Sequence, residues 1–221
     1  MTKSPTTPGV DELESAEALY LALGRIVEAG DASTHGHCER LAHYAVALGK
    51  SCHLDAADLV ALRRGAFLHD IGKIAIPDRV LLKPSRLTQR EYALIKTHTV
   101  VGDELVRAFR SLDAVRGIVR HHHERLDGRG YPDGLAGDQI PLLAQIVTIV
   151  DVYDALTMKR PYRKAMSRGA AFATMREEAS EGAYSTELVE RFVGLIMSQA
   201  LPQKLKMASS VRAPVVRAAT A

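Results

Sequence analysis

Apolar residues recur at intervals of three and four along most of the chain, which is the spacing of one face of an α-helix. The first such pattern includes Leu13, Leu19 and Leu23 and ends near Gly30. The same period predicts further helices over about 34–50, 55–69, 111–124, 142–158, 168–181 and 186–200, and one from 88 towards 98. The alternation that marks a half-buried strand is nearly absent. The sequence therefore predicts an all-α fold.

Local signals define two helix starts and one ambiguous segment. Asp55, with Asp58 three residues later, is suited to cap a helix, and Thr88 with Glu91 forms a capping box. The run 146–150 consists of β-branched residues, which favour strands. Because this run lies inside a longer apolar pattern and no partner strand is available, we predict a buried helix here as well.

Composition narrows the class of protein. Of the 221 residues, 47% are hydrophobic and 25% are charged, which excludes disordered, collagen-like and membrane-embedded chains. The net charge of +3 comes from a tail that carries four basic residues and no acidic one after residue 200, so the rest of the chain is nearly neutral. Aromatic residues make up only 5% and tryptophan is absent, which argues against nucleic-acid binding.

The chain divides into three segments on these patterns. Residues 1–30 are predicted to form a tail and an amphipathic helix, 31–200 one helical domain, and 201–221 a disordered tail rich in basic residues and alanine. No stretch reaches the roughly 18 apolar residues that a membrane span needs. We therefore expect a cytoplasmic protein without a membrane partner, and a first helix that packs or forms a homodimer.

The candidate chemistry lies in histidines and aspartates. His69 and Asp70 end an apolar helix and are followed by Lys73, within about one helical turn. Asp151 lies between Val150 and Val152, where an unpaired carboxylate would be costly to bury, so it is expected to meet a cation. Further histidines lie upstream, after the capped helix and in the pair 122–123. The candidate metal ligands are therefore seven: His37, His69, Asp70, His98, His122, His123 and Asp151.

This ligand inventory indicates the kind of metal site. Imidazoles and carboxylates without thiolates suit iron, manganese or zinc. Seven ligands are more than one ion takes while it leaves a position open for water, whereas the Asp70 carboxylate can bridge two ions about 4 Å apart. Sites with two such ions hydrolyse phosphoesters.

The same residues carry a resemblance to a known family. The motifs are HDIGKI at 69–74, His98, HHERLDGRGYP at 122–132, DVYDALT at 151–157 and RPYR at 160–163. In order and separation they resemble the HD-GYP domain over about 34–200. The resemblance implies a helical bundle of the HD superfamily with a metal site in its centre. It also implies hydrolysis of cyclic di-GMP to pGpG, and onward to GMP in some members, by a hydroxide that bridges two metal ions.

The resemblance also implies roles for single residues. One ion would be held by His37, His69, Asp70 and Asp151, and the other by Asp70, His98, His122 and His123. Lys73 would act with Asp70 in catalysis by stabilising the phosphate or the leaving oxygen, with a salt bridge to an aspartate as its alternative role. Asp154, one turn after Asp151, would orient a ligand imidazole.

Substrate contacts are expected on two segments. Gly128 and Gly130 allow a close approach of ligand to the backbone in the loop that carries Tyr131. Arg160 and Arg163 would clamp the second phosphate or a guanine edge. A plain surface turn and a solvated arginine pair are the respective alternatives.

The function itself retains alternatives. The chain is expected to act on cyclic di-GMP, but another cyclic dinucleotide or nucleotide, or a signalling module with little turnover, would use the same fold. Members of the family with a third metal carry a glutamate where this chain has Ser33, so two ions are expected. Only one helix precedes the domain, so a regulator or a GGDEF-type signalling partner would be a separate protein or a segment missing from this chain.

Overall fold

The computed structural model describes residues 10–30, 36–159 and 164–198, and within these ranges the chain is helical without any β-strand. The helices are α1 (Val10–Ala29), α2 (His37–Ser51), α3 (Ala56–Leu68), α4 (Asp78–Leu81), α5 (Gln89–Lys96), α6 (His98–Val106), α7 (Asp113–His121), α8 (Leu142–Thr157), α9 (Arg168–Ser180) and α10 (Thr186–Met197). Short 3-10 helices lie at Ile71–Ala75, Arg110–Leu112 and Gly137–Gln139. The predicted all-α fold is confirmed.

The predicted helix starts are confirmed where the structure describes them. The Asp55 side chain accepts a hydrogen bond from the backbone N–H of Asp58 at 2.9 Å. Thr88 and Glu91 form the reciprocal capping box in front of α5. Both contacts satisfy backbone donors that a helix leaves unpaired in its first turn. Helix α2 begins at His37, directly after Gly36 in a left-handed conformation.

The helix expected to run from 88 into 98 is in fact two helices. α5 ends at Lys96 and α6 begins at His98. At the break, the Thr97 hydroxyl and the Thr97 backbone N–H both donate to the carbonyl of Leu94, at 2.7 and 3.1 Å. A threonine side chain that competes for a helical carbonyl in this way favours a helix end. His98 is thereby placed at the start of a helix.

Two hydrophobic clusters hold the helices together. The larger one lies among α2, α3, α8, α9 and α10, where Phe192 packs edge-on against Tyr44 and Tyr153, with ring centres 5.8 and 5.0 Å apart. The residues of the β-branched run 146–150 are all buried in α8, which confirms the prediction of a helix there. The smaller cluster joins α1 to α3, α6 and α7.

Helix α1 packs on the bundle of its own chain. Its Tyr20 is buried and its hydroxyl makes a 2.6 Å hydrogen bond with Ser111. Glu17 forms an ion pair with Arg64 of α3, with 2.6 Å between Oε2 and Nε. None of the helices described is both long and apolar enough to cross a bilayer. The predicted homodimer stays a prediction.

Some sequence predictions concern residues outside the described ranges. These are the tail segments 1–9 and 201–221, the position of Ser33, and the arginines Arg160 and Arg163.

Replacing Phe192 by alanine removes a fully buried ring from the centre of the larger cluster. We expect the free energy of unfolding to fall by about 3–5 kcal/mol, because both the burial of the ring and its packing are lost. Urea denaturation followed by circular dichroism measures this. Met197→Ala, at a position that is 65% exposed, is the control and should change stability by less than about 0.5 kcal/mol. An equal loss in both variants would contradict this account of the core.

Candidate metal centre

The seven candidate ligands come from the ends of five helical segments and from the middle of α8. His37 begins α2, His98 begins α6, and His69 follows the last residue of α3. Asp70 precedes the 3-10 helix at 71–75, and the pair 122–123 directly follows α7. The ends of these helical segments converge on one place in the fold. Residues far apart in sequence therefore lie close together there.

One group consists of His37, His69 and Asp70. The Nε2 atoms of the two imidazoles lie 3.4 Å apart, and His69 Nε2 is 3.2 Å from Asp70 Oδ2. One potential ligand atom from each residue lies within 4.8 Å of the others. Asp151 Oδ1 lies 3.5 Å from His37 Nε2, which adds a carboxylate beside this group.

The second group consists of Asp70, His98, His122 and His123, again with ligand atoms within 4.8 Å of one another. His98 Nε2 lies 3.3 Å from Asp70 Oδ1 and 3.4 Å from His122 Nε2. Asp70 therefore presents one carboxylate oxygen to each group. The seven residues selected from the sequence lie in one continuous cluster.

Backbone carbonyls set the orientation of three imidazoles. Each ring donates a hydrogen bond from Nδ1 to a carbonyl three residues earlier in the chain, which leaves Nε2 to face the cluster. These bonds are His69 to Ala66 at 3.0 Å, His98 to Ile95 at 2.7 Å and His122 to Val119 at 3.0 Å. A histidine that directly follows a helical turn is well placed for this bond, since that turn supplies the acceptor.

His37 is oriented by a side chain instead. Its Nδ1 lies 2.8 Å from Asp154 Oδ2, and Arg40 donates to the other carboxylate oxygen of Asp154 at 2.6 Å. Burial by itself would raise the pKa of Asp154, but the hydrogen bonds from His37 and Arg40 hold it below its usual value. Asp154 thus contacts a candidate ligand, His37. The contribution of Arg40 was missed, although its position three residues after His37 places it on the same face of α2.

Burial keeps several of the imidazoles in their neutral form. It lowers the pKa of His98 and of His122, and it lowers that of His123 to about 4. A neutral imidazole has a free lone pair, which is the form that binds a metal. These three side chains need not lose a proton at neutral pH before they bind an ion.

The Asp70 carboxylate is held ionised although it is enclosed. Burial by itself would raise its pKa, but the Lys73 ammonium and the His69 imidazole keep that pKa well below its usual range. Lys73 Nζ lies 2.5 Å from Asp70 Oδ2, while Oδ1 is buried and accepts no hydrogen bond within the described part of the chain. A buried anionic oxygen without a donor, facing neutral imidazoles, fits a divalent cation.

The open side of the cluster is formed by charged groups. The side chains of His69 and His98 are 1% exposed, whereas those of Asp70, Asp151 and Lys73 are 18, 17 and 25% exposed. A ligand therefore approaches the centre from the side of the carboxylates and the ammonium. Lys73 forms the salt bridge considered as its alternative role, and it does so at this opening.

The glycine-rich loop after α7 closes over one edge of the cluster. The Tyr131 ring packs on the His123 ring with centres 4.8 Å apart. Gly128 has a φ of 74°, a left-handed conformation that favours glycine. At Gly130 a Cβ atom would lie 2.4 Å from the Cα of Glu124, so a side chain does not fit there. The structure therefore requires both glycines for the shape of the loop itself.

Glu124 is a further residue with a part in the site. Its buried carboxylate accepts hydrogen bonds from the backbone N–H groups of Asp133, Gly134 and Leu135, at 2.7, 3.0 and 3.1 Å. A buried carboxylate with three donors is well compensated and ties the loop to the helix end that bears His123. The sequence showed this glutamate only as part of a motif.

Comparisons with known proteins agree with the fold and the motifs. A family model described as HD domain matches residues 22–188. The cyclic di-GMP phosphodiesterase response regulator RpfG of Xanthomonas campestris pv. campestris is 42% identical over 167 residues, which cover 74% of this chain and 44% of that protein. The 3'3'-cGAMP-specific phosphodiesterase 3 of Vibrio cholerae is 38% identical over 161 residues, which cover 73% of this chain and 35% of that protein.

Solved structures show the same fold. Bd1817, described as a HDG"Y"P protein from Bdellovibrio bacteriovorus, superimposes with a TM-score of 0.63 at 20% identity over 83% of this chain and 64% of that one. The cyclic GMP-AMP phosphodiesterase V-cGAP3 of V. cholerae gives a TM-score of 0.61 at 21% identity, over 82% of this chain and 49% of that one. The fold and the matched model define an HD-domain protein, and within that class the chain belongs to the HD-GYP family. It spans less than half the length of the curated relatives that it matches.

Asp154→Asn removes the negative charge that holds His37 and Arg40 while it keeps the shape of the side chain. We expect the affinity for Mn²⁺ to fall about 10- to 100-fold, the usual effect of losing an outer carboxylate behind a ligand histidine. Competition with a chelating dye measures the affinity. Asp138→Asn, on the exposed part of the loop, is the matched control and should bind like the wild type. Equal affinities in all three proteins would contradict this role of Asp154.

Glu124→Ala leaves three backbone N–H groups of the loop without their acceptor. We expect faster amide exchange at 133–135 and a free energy of unfolding lower by about 1–3 kcal/mol. Hydrogen-exchange mass spectrometry and urea denaturation provide the two readouts. Glu187→Ala, which removes an exposed carboxylate from α10, should leave exchange in the loop unchanged. Unchanged protection in Glu124→Ala would show that the loop does not depend on these bonds.

Proposed function

We propose that this chain is a metal-dependent phosphodiesterase that hydrolyses cyclic di-GMP to linear pGpG, and in a further step to GMP. The single observation that carries the proposal is the continuous cluster around Asp70, which offers one carboxylate oxygen to each of two ligand groups and opens to solvent on its charged side. Relatives at 42 and 38% identity, in X. campestris and Thermotoga maritima, are named cyclic di-GMP phosphodiesterases.

A second candidate substrate is 3'3'-cGAMP. Three V. cholerae relatives, 34–38% identical to this chain, are named as specific for it. The two dinucleotides share their phosphodiester chemistry and differ in one base. The proposed reaction is therefore the same for both, and a direct comparison of substrates decides between them.

The residues proposed to hold the metal ions are those of the two groups. One ion would lie among His37, His69, Asp70 and Asp151, and the other among Asp70, His98, His122 and His123. The mixture of imidazole and carboxylate favours two divalent ions, iron or manganese before zinc. Bound there, the ions would supply Lewis acidity to a phosphate oxygen and lower the pKa of a water molecule.

The protein itself would contribute position and charge. Lys73, held by Asp70 at the opening, is proposed to donate a hydrogen bond to a phosphate oxygen or to the leaving 3' oxygen. The loop with Gly128, Gly130 and Tyr131 is proposed to line the substrate side of the site. Arg160 and Arg163 are proposed to bind the second phosphate or a guanine edge.

The cellular setting of this activity is also a proposal. We place residues 31–200 as the catalytic domain of a cytoplasmic signalling enzyme that acts as a homodimer. A relative named as a response regulator supports control by a regulatory segment or by a separate protein, such as one of the GGDEF type.

The central test is turnover of cyclic di-GMP and 3'3'-cGAMP by freshly purified protein, with metals counted on the same sample. We expect hydrolysis with about two ions per chain. Asp70→Ala should reduce turnover at least about a hundredfold, because it removes the ligand shared by both groups. Asp138→Ala, away from the cluster, is the control.

The outcomes separate the candidates. If only 3'3'-cGAMP is cleaved, then 3'3'-cGAMP replaces cyclic di-GMP as the proposed substrate, and the proposed reaction is unchanged. Bound metal without cleavage of either dinucleotide, after reconstitution with iron, manganese and zinc, would contradict the proposal and favour a signalling module with little turnover.

A further inference from the structure

Lys96 places a positive charge at the edge of the candidate metal centre. It lies in the last turn of α5, and its ammonium is 5.4 Å from the ring centre of Tyr92 and 5.6 Å from that of Tyr131. The Tyr131 ring in turn packs on His123 at 4.8 Å and lies 6.4 Å from the His98 ring. The ammonium therefore contacts the same tyrosine ring that packs on a candidate ligand, next to the glycine-rich loop.

No carboxylate in the part of the chain that the structure describes neutralises the charge on Lys96. Two other cations near the centre are paired, Lys73 with Asp70 and Arg40 with Asp154. Lys96 forms no ion pair with any carboxylate in the described ranges. Ring faces attract an ammonium and hold it in place, but they leave its charge and its hydrogen-bond donors available to a ligand.

We propose that Lys96 is a substrate-binding residue that contacts the phosphate of the cyclic dinucleotide that is not being cleaved. This inference rests on the proposed function. Such a substrate has two phosphodiesters with one negative charge each, and only one of them can lie at the Asp70 cluster at a time. Lys96 supplies positive charge for the other.

The contacts of Lys96 support a role in substrate binding rather than in the chemical step. Lys96 contacts the Tyr131 ring, which packs on His123, whereas Lys73 contacts the shared carboxylate directly. Lys96 is therefore assigned to holding the substrate, and Lys73 to the reacting phosphate.

The test compares two substrates on the metal-loaded protein. Cyclic di-GMP has two phosphates, whereas bis(p-nitrophenyl) phosphate has a single phosphorus atom and reports only on the metal centre. We expect Lys96→Met to raise KM for cyclic di-GMP about 10- to 100-fold, the loss expected for one hydrogen bond between charged groups, with little change in kcat. Hydrolysis of bis(p-nitrophenyl) phosphate and the metal content should stay within about twofold of the wild type.

Two further variants isolate the charge. Lys96→Arg keeps the positive charge and should retain most of the affinity for cyclic di-GMP. Lys50→Met removes an exposed lysine from the last turn of α2, about 20 Å along that helix from His37, and should behave like the wild type. An equal loss for both substrates in Lys96→Met would instead show that Lys96 acts by positioning Tyr131 and the centre. No loss for either substrate would also overturn the proposal.

A binding measurement keeps this test separate from that of the proposed function. A phosphorothioate analogue of cyclic di-GMP retains both charges, and calorimetry measures its binding without cleavage. If the wild type binds the analogue but does not cleave cyclic di-GMP, the proposed reaction fails, while weaker binding by Lys96→Met still supports Lys96 as a phosphate contact. If the wild type does not bind the analogue, both proposals are wrong.

Discussion

One carboxylate, Asp70, connects the two halves of the site. One of its oxygens faces His69 and Lys73, and the other faces His98 without accepting a hydrogen bond from the described residues. Removing such an anion from water is costly unless positive charge compensates it. The ammonium of Lys73 supplies part of that compensation, and the oxygen that faces the imidazoles is suited to a metal ion.

The fold meets this constraint by placing helix ends around the carboxylate. At three of those ends an imidazole bonds to a carbonyl of the helical turn that precedes it in the chain, so the local backbone orients the ring without help from a distant residue. His37, at the start of α2, is instead oriented by Asp154, whose carboxylate Arg40 also holds. Helix boundaries are therefore functional features here, and the break between α5 and α6 at Thr97 is the clearest case.

The loop after α7 adds a second layer around this centre. The Glu124 carboxylate accepts hydrogen bonds from the loop backbone, and the Tyr131 ring packs on the His123 ring. The glycines that the family resemblance connects with substrate are also needed for the shape of the loop. Both uses are compatible, because a loop that closely follows a helix end leaves its outer face open to a ligand.

The fold class, two helix starts and the candidate metal ligands could be predicted from the sequence. Helical periodicity predicted the all-α fold, and Asp55 and Thr88 marked helix starts correctly, because capping depends on residues only three positions apart. The buried β-branched run in α8 was also predicted, from its place in a longer apolar pattern. Spacing and residue type likewise singled out the seven residues that the structure brings into one cluster.

Packing in three dimensions sets which groups meet across long separations in sequence. The pairing of Arg40 with Asp154 and the contact of Lys96 with the Tyr131 ring both depend on how distant segments pack. Periodicity reports which face of a helix is buried, but not what lies opposite that face. Partners of this kind follow from the angles at which helices pack, which local sequence does not encode.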